Sequence, residues 1–173
     1  MSKGLLVVFT GEGKGKTTAA LGMAMRAAGH GMKVRVLQFI KGGWSYGELN
    51  SFEKIGEVRI KTLGTGFTWN KESLDEDREL AKAGWQEALS EIRRADCRMI
   101  VLDELNYVLS YGLLPVGEVV QALRERPDGV HIVATGRNAP PELIEAADLV
   151  TEMRVVKHPY GDRGLAAQIG IEF

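Results

Sequence analysis

Apolar runs recur along the chain at 4–10 (GLLVVFT), 33–40 (KVRVLQFI), 58–63 (VRIKTL), 98–105 (RMIVLDEL), 129–136 (GVHIVATG) and 149–156 (LVTEMRVV). Several are apolar at consecutive rather than alternating positions, the pattern of parallel strands covered by helices on each side. Between them lie segments of helical period. Residues 16–29 are rich in Ala and Met and stop at Gly29, and 73–95 read as one long helix. In that helix Ser73 and Glu76 stand at capping-box spacing, and Ala81, Trp85, Leu89 and Ile92 form one stripe, which assigns Trp85 to the core. A further helix is predicted over 116–126, and another from the Pro140-Pro141 pair, because proline suits a first helical turn. The alternation predicts an α/β fold with a mostly parallel central sheet and helices on both faces. No repeat, linker or low-complexity segment divides the chain, so 1–173 is expected to be one domain.

Composition narrows the partners. The chain is 45% hydrophobic and its charged residues nearly cancel, with a formal net charge of −1, so neither a polyanion-binding surface nor nucleic acid as a main partner is expected. Cys97 is the only cysteine, which rules out an internal disulfide and any cysteine-built zinc or iron–sulfur site within one chain. A reducing cytoplasm is the expected compartment. The apolar run at 5–9 is too short for a signal segment or a membrane span and reads as a buried strand.

The first strand runs into FTGEGKGKTTAALG (9–22), a phosphate-loop pattern in which Thr10 replaces the leading glycine of G-x-x-x-x-G-K-[ST]. A strand, a Gly-rich turn and a helix supply what phosphate needs: backbone N–H groups at a helix N-terminus, with Lys16 as a mobile charge. Gly11, Gly13 and Gly15 permit a tight wrap, and Thr17 can place its hydroxyl on Mg²⁺. Downstream, MIVLDEL sets Asp103 and Glu104 at the end of an apolar strand, where carboxylates reach a phosphate-bound metal. Together these point to a nucleoside triphosphate with magnesium. They leave the reaction open between a generic P-loop ATPase or kinase, another transferase, and a nucleotide-binding module without turnover. The only histidines, His30, His131 and His158, form no acid–base constellation and read as structural or surface residues, so any catalysis need not use a protein base.

Taken in order, VRVLQFIKGGWSYGEL (34–49), GTGFTWN (64–70), AGW (83–85), VLDELNYVLSYGLL (101–114), ATGRNAPPELIEAADLVTEMRVVKHPYGDRG (134–164) and AAQIGIEF (166–173) resemble the P-loop type of ATP:corrinoid adenosyltransferase. The resemblance spans about 3–173. It implies a P-loop NTPase fold of the RecA-like type. GEGKGKTT matches the family's GNGKGKTT except at Glu12, and a non-glycine at Thr10 is normal there. The implied reaction moves the 5′-deoxyadenosyl group of ATP to reduced corrinoid cobalt and releases triphosphate. Cobalt(I) is then the nucleophile at C5′, and the phosphates run through the loop opposite to the usual sense.

Carried over residue by residue, the resemblance makes Gly11, Glu12, Gly13, Lys14, Gly15, Lys16, Thr17 and Thr18 the triphosphate cradle, with Lys14 and Lys16 countering the leaving-group charge. Lys16 thereby becomes catalytic. Thr17 and Glu104 are the expected Mg²⁺ ligands, with Asp103 binding the metal or standing just behind it, and Mn²⁺ as the alternative ion. Phe67 and Trp69 match the aromatic pair that covers the lower face of the corrin and keeps cobalt(II) four-coordinate. Arg137 and Asn138 are candidate nucleoside or phosphate contacts, a helix-start role for Asn138 being the alternative. Lys41 and Lys157 stand near strand ends within reach of polyphosphate or corrin side chains, with solvated lysines as the plainer reading. Many members carry an N-terminal extension that covers the partner's active site; here Thr10 stands nine residues after Met1, so shielding by such an arm is not expected. A homodimer and a flavoprotein reductant are implied by the resemblance alone.

Overall fold

The computed structural model describes residues 3–42, 46–64 and 74–172. Among them six strands form one sheet: β1 (Leu6–Thr10), β2 (Val34–Gln38), β3 (Val58–Thr62), β4 (Met99–Asp103), β5 (His131–Thr135) and β6 (Leu149–Glu152). Their order is β3-β2-β4-β5-β1-β6, and every neighbouring pair is parallel. Each predicted strand is present, trimmed at its ends. The helices are α1 (Lys16–Gly29), α2 (Gly47–Glu53), α3 (Asp75–Arg94), α4 (Leu105–Ser110), α5 (Val116–Arg124), α6 (Pro141–Ala146) and α7 (Pro159–Arg163). α2, α4 and α7 were not predicted, because at seven, six and five residues they are too short to show a helical period.

Each face of the sheet carries its own apolar layer. On one, Ala20, Ala24, Ala27 and Ala28 of α1 pack with Val7, Phe9, Val34, Val36, Val101 and Val133, the small side chains letting the helix lie close to the strands. On the other, Ala81, Trp85, Ala88 and Ile92 of α3 join Leu105 and Leu109 of α4 and Leu123 of α5 over Leu6, Leu37, Ile100 and Ile132. Burying each of the larger aliphatic side chains contributes about 1.5–3 kcal/mol. Trp85 is 6% exposed and belongs to this core, as the stripe predicts.

Coverage on both faces holds for the four inner strands and fails at the edges. β6 is exposed throughout, with Leu149 and Val150 at 44% and 40%. The start of α3 also departs from the capping-box expectation. Its first helical residue is Asp75, its N-cap is Leu74 with no side-chain cap, and Asp75, Glu76 and Asp77 supply negative charge to the first turn instead. Ser73 lies outside the described residues.

The topology decides where polar groups gather. β5 lies between β1 and β4, so the chain leaving β1 through α1 must cross both β5 and β4 to reach β2. Open parallel sheets bind ligands beside such a crossing, at the carboxyl ends of the strands. Here β1, β2, β4 and β5 end on Thr10, Gln38, Asp103 and Thr135, all buried. Just beyond them Asn106, fully buried, donates from Nδ2 to the carbonyls of Phe9 (3.1 Å) and Gly136 (3.0 Å), clasping the exits of β1 and β5.

Candidate active site at the strand ends

The phosphate loop is shaped first by the chain's own backbone. Gly11 and Gly15 adopt φ of 94° and 105°, the left-handed region that favours glycine. A Cβ on Gly11 would meet the Met153 carbonyl oxygen at 2.5 Å, and one on Gly13 would meet the Met153 carbonyl carbon at 2.7 Å. The Gly13 N–H donates to Met153 O (2.7 Å) and the Met153 N–H to Thr10 O (2.8 Å), so the segment after β6 lies directly against the loop. Gly15 has open space around it and is required only by its backbone conformation.

Thr10 has a specific task. Its Oγ1 accepts from the Ala139 N–H at 3.1 Å, fastening the loop after β5 to the exit of β1, a bond a glycine could not accept. Lys16, 9% exposed, folds back and donates from Nζ to the carbonyls of Gly11 (2.7 Å) and Gly13 (2.6 Å). Burial lowers its pKa below the ordinary lysine value, with Arg137 and Lys14 adding to the effect and Glu104 and Glu12 opposing it. At the mouth, Glu12 pairs with Arg137 at 3.3 Å and Lys14 with Glu172 at 2.7 Å. Glu12 and Arg137 are both more than half exposed, so their pairing contributes little stability and orients charge instead. Thr18 lies exposed on the first turn of α1.

Asp103 is the centre of the site. Its carboxylate is fully buried, and Oδ1 accepts from Thr17 Oγ1 (2.8 Å) and Thr135 Oγ1 (2.7 Å), while Oδ2 accepts from Gln38 Nε2 (3.2 Å). The Thr135 hydroxyl in turn accepts from the Glu104 N–H at 3.0 Å. Lys41 Nζ stands 3.8 Å from Asp103 Oδ2 and 2.8 Å from Glu48 Oε1, over the Tyr46 ring. Burial alone would depress the Lys41 pKa, but Asp103, Glu48 and Tyr46 outweigh it and raise it. The Glu104 carboxyl is pushed above its ordinary range by burial first and the adjacent Asp103 charge second, against the pull of Lys16, Lys41 and Arg137. Glu104 also sits at φ 64° as the N-cap of α4, a strained conformation for a non-glycine residue.

These groups fit a hard divalent cation. The Thr17 hydroxyl donates its hydrogen bond to Asp103, which leaves an oxygen lone pair free for a metal, and Glu104 is a buried carboxyl beside Asp103. Among the described residues no three of His, Cys, Asp and Glu gather to hold a metal on their own. Two carboxyl groups and a hydroxyl are compatible with Mg²⁺, which binds through one or two carboxylates and keeps phosphates and water as its other ligands.

Thr17, Asp103, Glu104, Lys16 and the loop glycines, grouped by the sequence, lie together at the strand ends. Phe67 and Trp69 lie outside the described residues. Asn138 does not start a helix: α6 has Pro140 as its N-cap, and Asn138 takes φ 53° in the turn before it. Lys157 is exposed. His131 Nδ1 accepts from the Leu5 N–H and His158 Nδ1 from the Gly161 N–H, while exposed His30 caps the end of α1 by its backbone. Sequence reasoning missed Gln38, Thr135 and Asn106. For Gln38 and Thr135 the readable signal was a polar residue ending an apolar strand.

Glu104 yields a test. A carboxyl whose folded pKa is raised contributes stability below its unfolded pKa, near the ordinary 4.5, and loses it as pH rises through the folded value. At neutral pH, above the unfolded value, Glu104 therefore weakens the metal-free protein. Glu104→Gln is expected to raise the metal-free melting temperature at pH 7 by roughly 2–4 °C per kcal/mol recovered, with the gain vanishing near pH 4 and metal-dependent stabilisation lost. A lower melting temperature at pH 7 contradicts this electrostatic account.

Comparison with known proteins identifies the family. The model of the ATP:corrinoid adenosyltransferase BtuR/CobO/CobP family matches residues 2–173. The chain is 47% identical over 171 residues to a corrinoid adenosyltransferase of Escherichia coli K12, covering 99% of this chain and 86% of that protein. It is 48% identical to one from Sinorhizobium sp. (99% and 81% covered) and 44% identical to corrinoid adenosyltransferase CobA of Salmonella typhimurium (99% and 86%). Among solved structures, flagellar accessory protein FlaH from Methanocaldococcus jannaschii superposes with a TM-score of 0.58 at 10% identity, over 88% of this chain and 72% of that one, a likeness of fold alone that agrees with a RecA-like α/β sheet. With the family model matched almost end to end and close relatives aligned over 99% of its length, this chain is a member of the ATP:corrinoid adenosyltransferase family.

Proposed function

We infer that this protein transfers the 5′-deoxyadenosyl group of ATP to the cobalt of a reduced corrinoid and releases inorganic triphosphate. The observation that carries this reading is family membership over the whole chain, joined to a phosphate loop whose metal-site carboxylate ends the second strand away from it. The reaction balances without proton transfer. The cobalt(I) electron pair forms the Co–C5′ bond, the C5′–O5′ bond breaks, and its electrons leave on the triphosphate. Cobalt ends formally as cobalt(III). A site without a histidine base is suited to that step.

The protein's work is placement and charge. The loop from Gly11 to Thr18 receives the triphosphate, and Lys16 exchanges its bonds to the Gly11 and Gly13 carbonyls for phosphate oxygens. Lys14 and Arg137, at the mouth and paired with Glu172 and Glu12, are positioned to follow the developing charge. Thr17, Glu104 and Asp103 would hold Mg²⁺, or Mn²⁺ in its place. When bound, the ion neutralises the departing triphosphate. With the triphosphate as leaving group, C5′ faces the corrin, and the family resemblance implies phosphates running against the usual sense of the loop. Phe67 and Trp69 cover the corrin's lower face, where denying an axial ligand eases reduction of cobalt(II). Asn138 lies within the same strand-end loop as Arg137 and is assigned to the nucleoside.

The reducing electron comes from a separate flavoprotein, and the working form is a homodimer. The exposed apolar side chains of edge strand β6 and of Ile169 and Ile171 (85% and 76% exposed) support a second copy as cover. Among the described residues no helix is long and apolar enough to cross a membrane, and we place the enzyme in the cytoplasm.

Incubation with ATP, Mg²⁺ and chemically reduced cobinamide is expected to give a light-sensitive alkylcobalt spectrum and triphosphate in equal amounts. ADP formed without corrinoid, and no alkylcobalt, would instead identify a generic P-loop ATPase. Replacing Phe67 and Trp69 by Ala is expected to slow adenosylation from cobalt(II) at least roughly tenfold more than from pre-reduced cobalt(I). Equal losses in the two assays would remove the lower-face role.

A further inference from the structure

The metal-free site holds a buried anion that the phosphate loop does not neutralise. Lys16 is committed to two loop carbonyls, and Thr17, Thr135 and Gln38 give Asp103 only neutral hydrogen bonds. The cation that faces Asp103 is Lys41, just past the end of β2, with its side chain 18% exposed. Its Nζ hydrogen-bonds Glu48 on α2 at 2.8 Å and lies 4.4 Å from the Tyr46 ring centroid. At 3.8 Å from Asp103 Oδ2 it acts through charge rather than a hydrogen bond.

That spacing has a consequence. A lysine bonded directly to Asp103 would have to be displaced before a metal could bind, whereas one tethered by Glu48 and Tyr46 balances the charge and leaves the carboxylate oxygen in place. A surface ion pair between Lys41 and Glu48 alone would not require the ammonium to turn inward toward a fully buried carboxylate.

We propose that Lys41 is a tethered counter-ion of the metal site, standing in for divalent charge at Asp103 in the metal-free protein and opposing the metal when it arrives. Lys41 is thus a positioning residue that sets metal affinity. The idea rests on the reading of Asp103 and Thr17 as the metal site given above. It also links that site to the start of α2, since Tyr46 and Glu48 hold the same ammonium.

The test is Mn²⁺ binding at saturating ATP, followed by electron paramagnetic resonance, in wild type, Lys41→Met, Lys41→Arg and Glu48→Gln, with ATP affinity in EDTA and melting temperature measured alongside. Removing the charge in Lys41→Met is expected to tighten Mn²⁺ roughly three- to tenfold, leave metal-free ATP affinity within about twofold, and enlarge the rise in melting temperature on adding metal. Lys41→Arg keeps the charge and is expected to stay near wild type. Glu48→Gln frees Lys41 to turn fully to Asp103 and is expected to weaken Mn²⁺ by about two- to threefold; this opposite sign keeps the proposal testable if Lys41→Met does not fold. Unchanged Mn²⁺ affinity in Lys41→Met or Glu48→Gln overturns the proposal. So does joint weakening of Mn²⁺ and ATP in Lys41→Met, which would make Lys41 a phosphate ligand. Failure of the wild-type protein to bind Mn²⁺ with ATP would instead strike the metal-site reading itself.

Discussion

The site depends on holding one carboxyl group, Asp103, out of contact with solvent. An isolated buried carboxylate is too costly to persist, so its oxygens must be met by donors and its charge balanced nearby. Those donors come from three separate elements: Thr17 from α1, Thr135 from β5 and Gln38 from β2. Satisfying them at once requires the ends of β2, β4 and β5 to be level and the first turn of α1 to sit over them. The parallel register supplies this, with Gln38 directly beside Asp103 and Leu102 beside Ala134. The buried hub therefore fixes the phosphate loop against the sheet as well as preparing it for metal.

The loop shows a second economy of construction. Its glycines answer mainly to the protein's own backbone, because Met153 comes so close that any Cβ on Gly11 or Gly13 would collide with it. Lys16 rests on carbonyls of the same loop, which keeps a buried ammonium satisfied until phosphate oxygens replace them. A triphosphate leaving group needs no proton from the protein, so positive charge and N–H donors suffice where hydrolases and kinases position a base.

Much of this was legible in the sequence. α1 was bounded at 16–29 because the Gly-Lys-Thr entry and Gly29 stop coincide with the ends of an Ala-rich segment. Thr17, Asp103 and Glu104 were legible because loop and strand-end motifs carry a fixed chemistry. Other features depend on contacts between residues distant in the chain. Thr10 looks like a lost glycine until Ala139 is seen to donate to its hydroxyl. Gln38 and Thr135 read as ordinary strand residues because only the sheet order brings them beside Asp103. Glu12, the departure from the family's loop, meets Arg137 from 125 residues away in the chain, a pairing no local pattern encodes. The helix start was legible from the Pro140-Pro141 pair, and the alternative helix-start role of Asn138 fails because that residue sits in the turn before them.

The central claim is that the loop holds a leaving group rather than a group to be transferred. It is tested most directly with ATP carrying oxygen-18 in the bridge between C5′ and the α-phosphorus, turned over with reduced corrinoid and analysed by mass spectrometry. Attack at C5′ predicts that the label leaves with the triphosphate and that none remains on the nucleoside. Label retained on the adenosine oxygen would mean that a phosphorus–oxygen bond is broken instead, and would contradict the account.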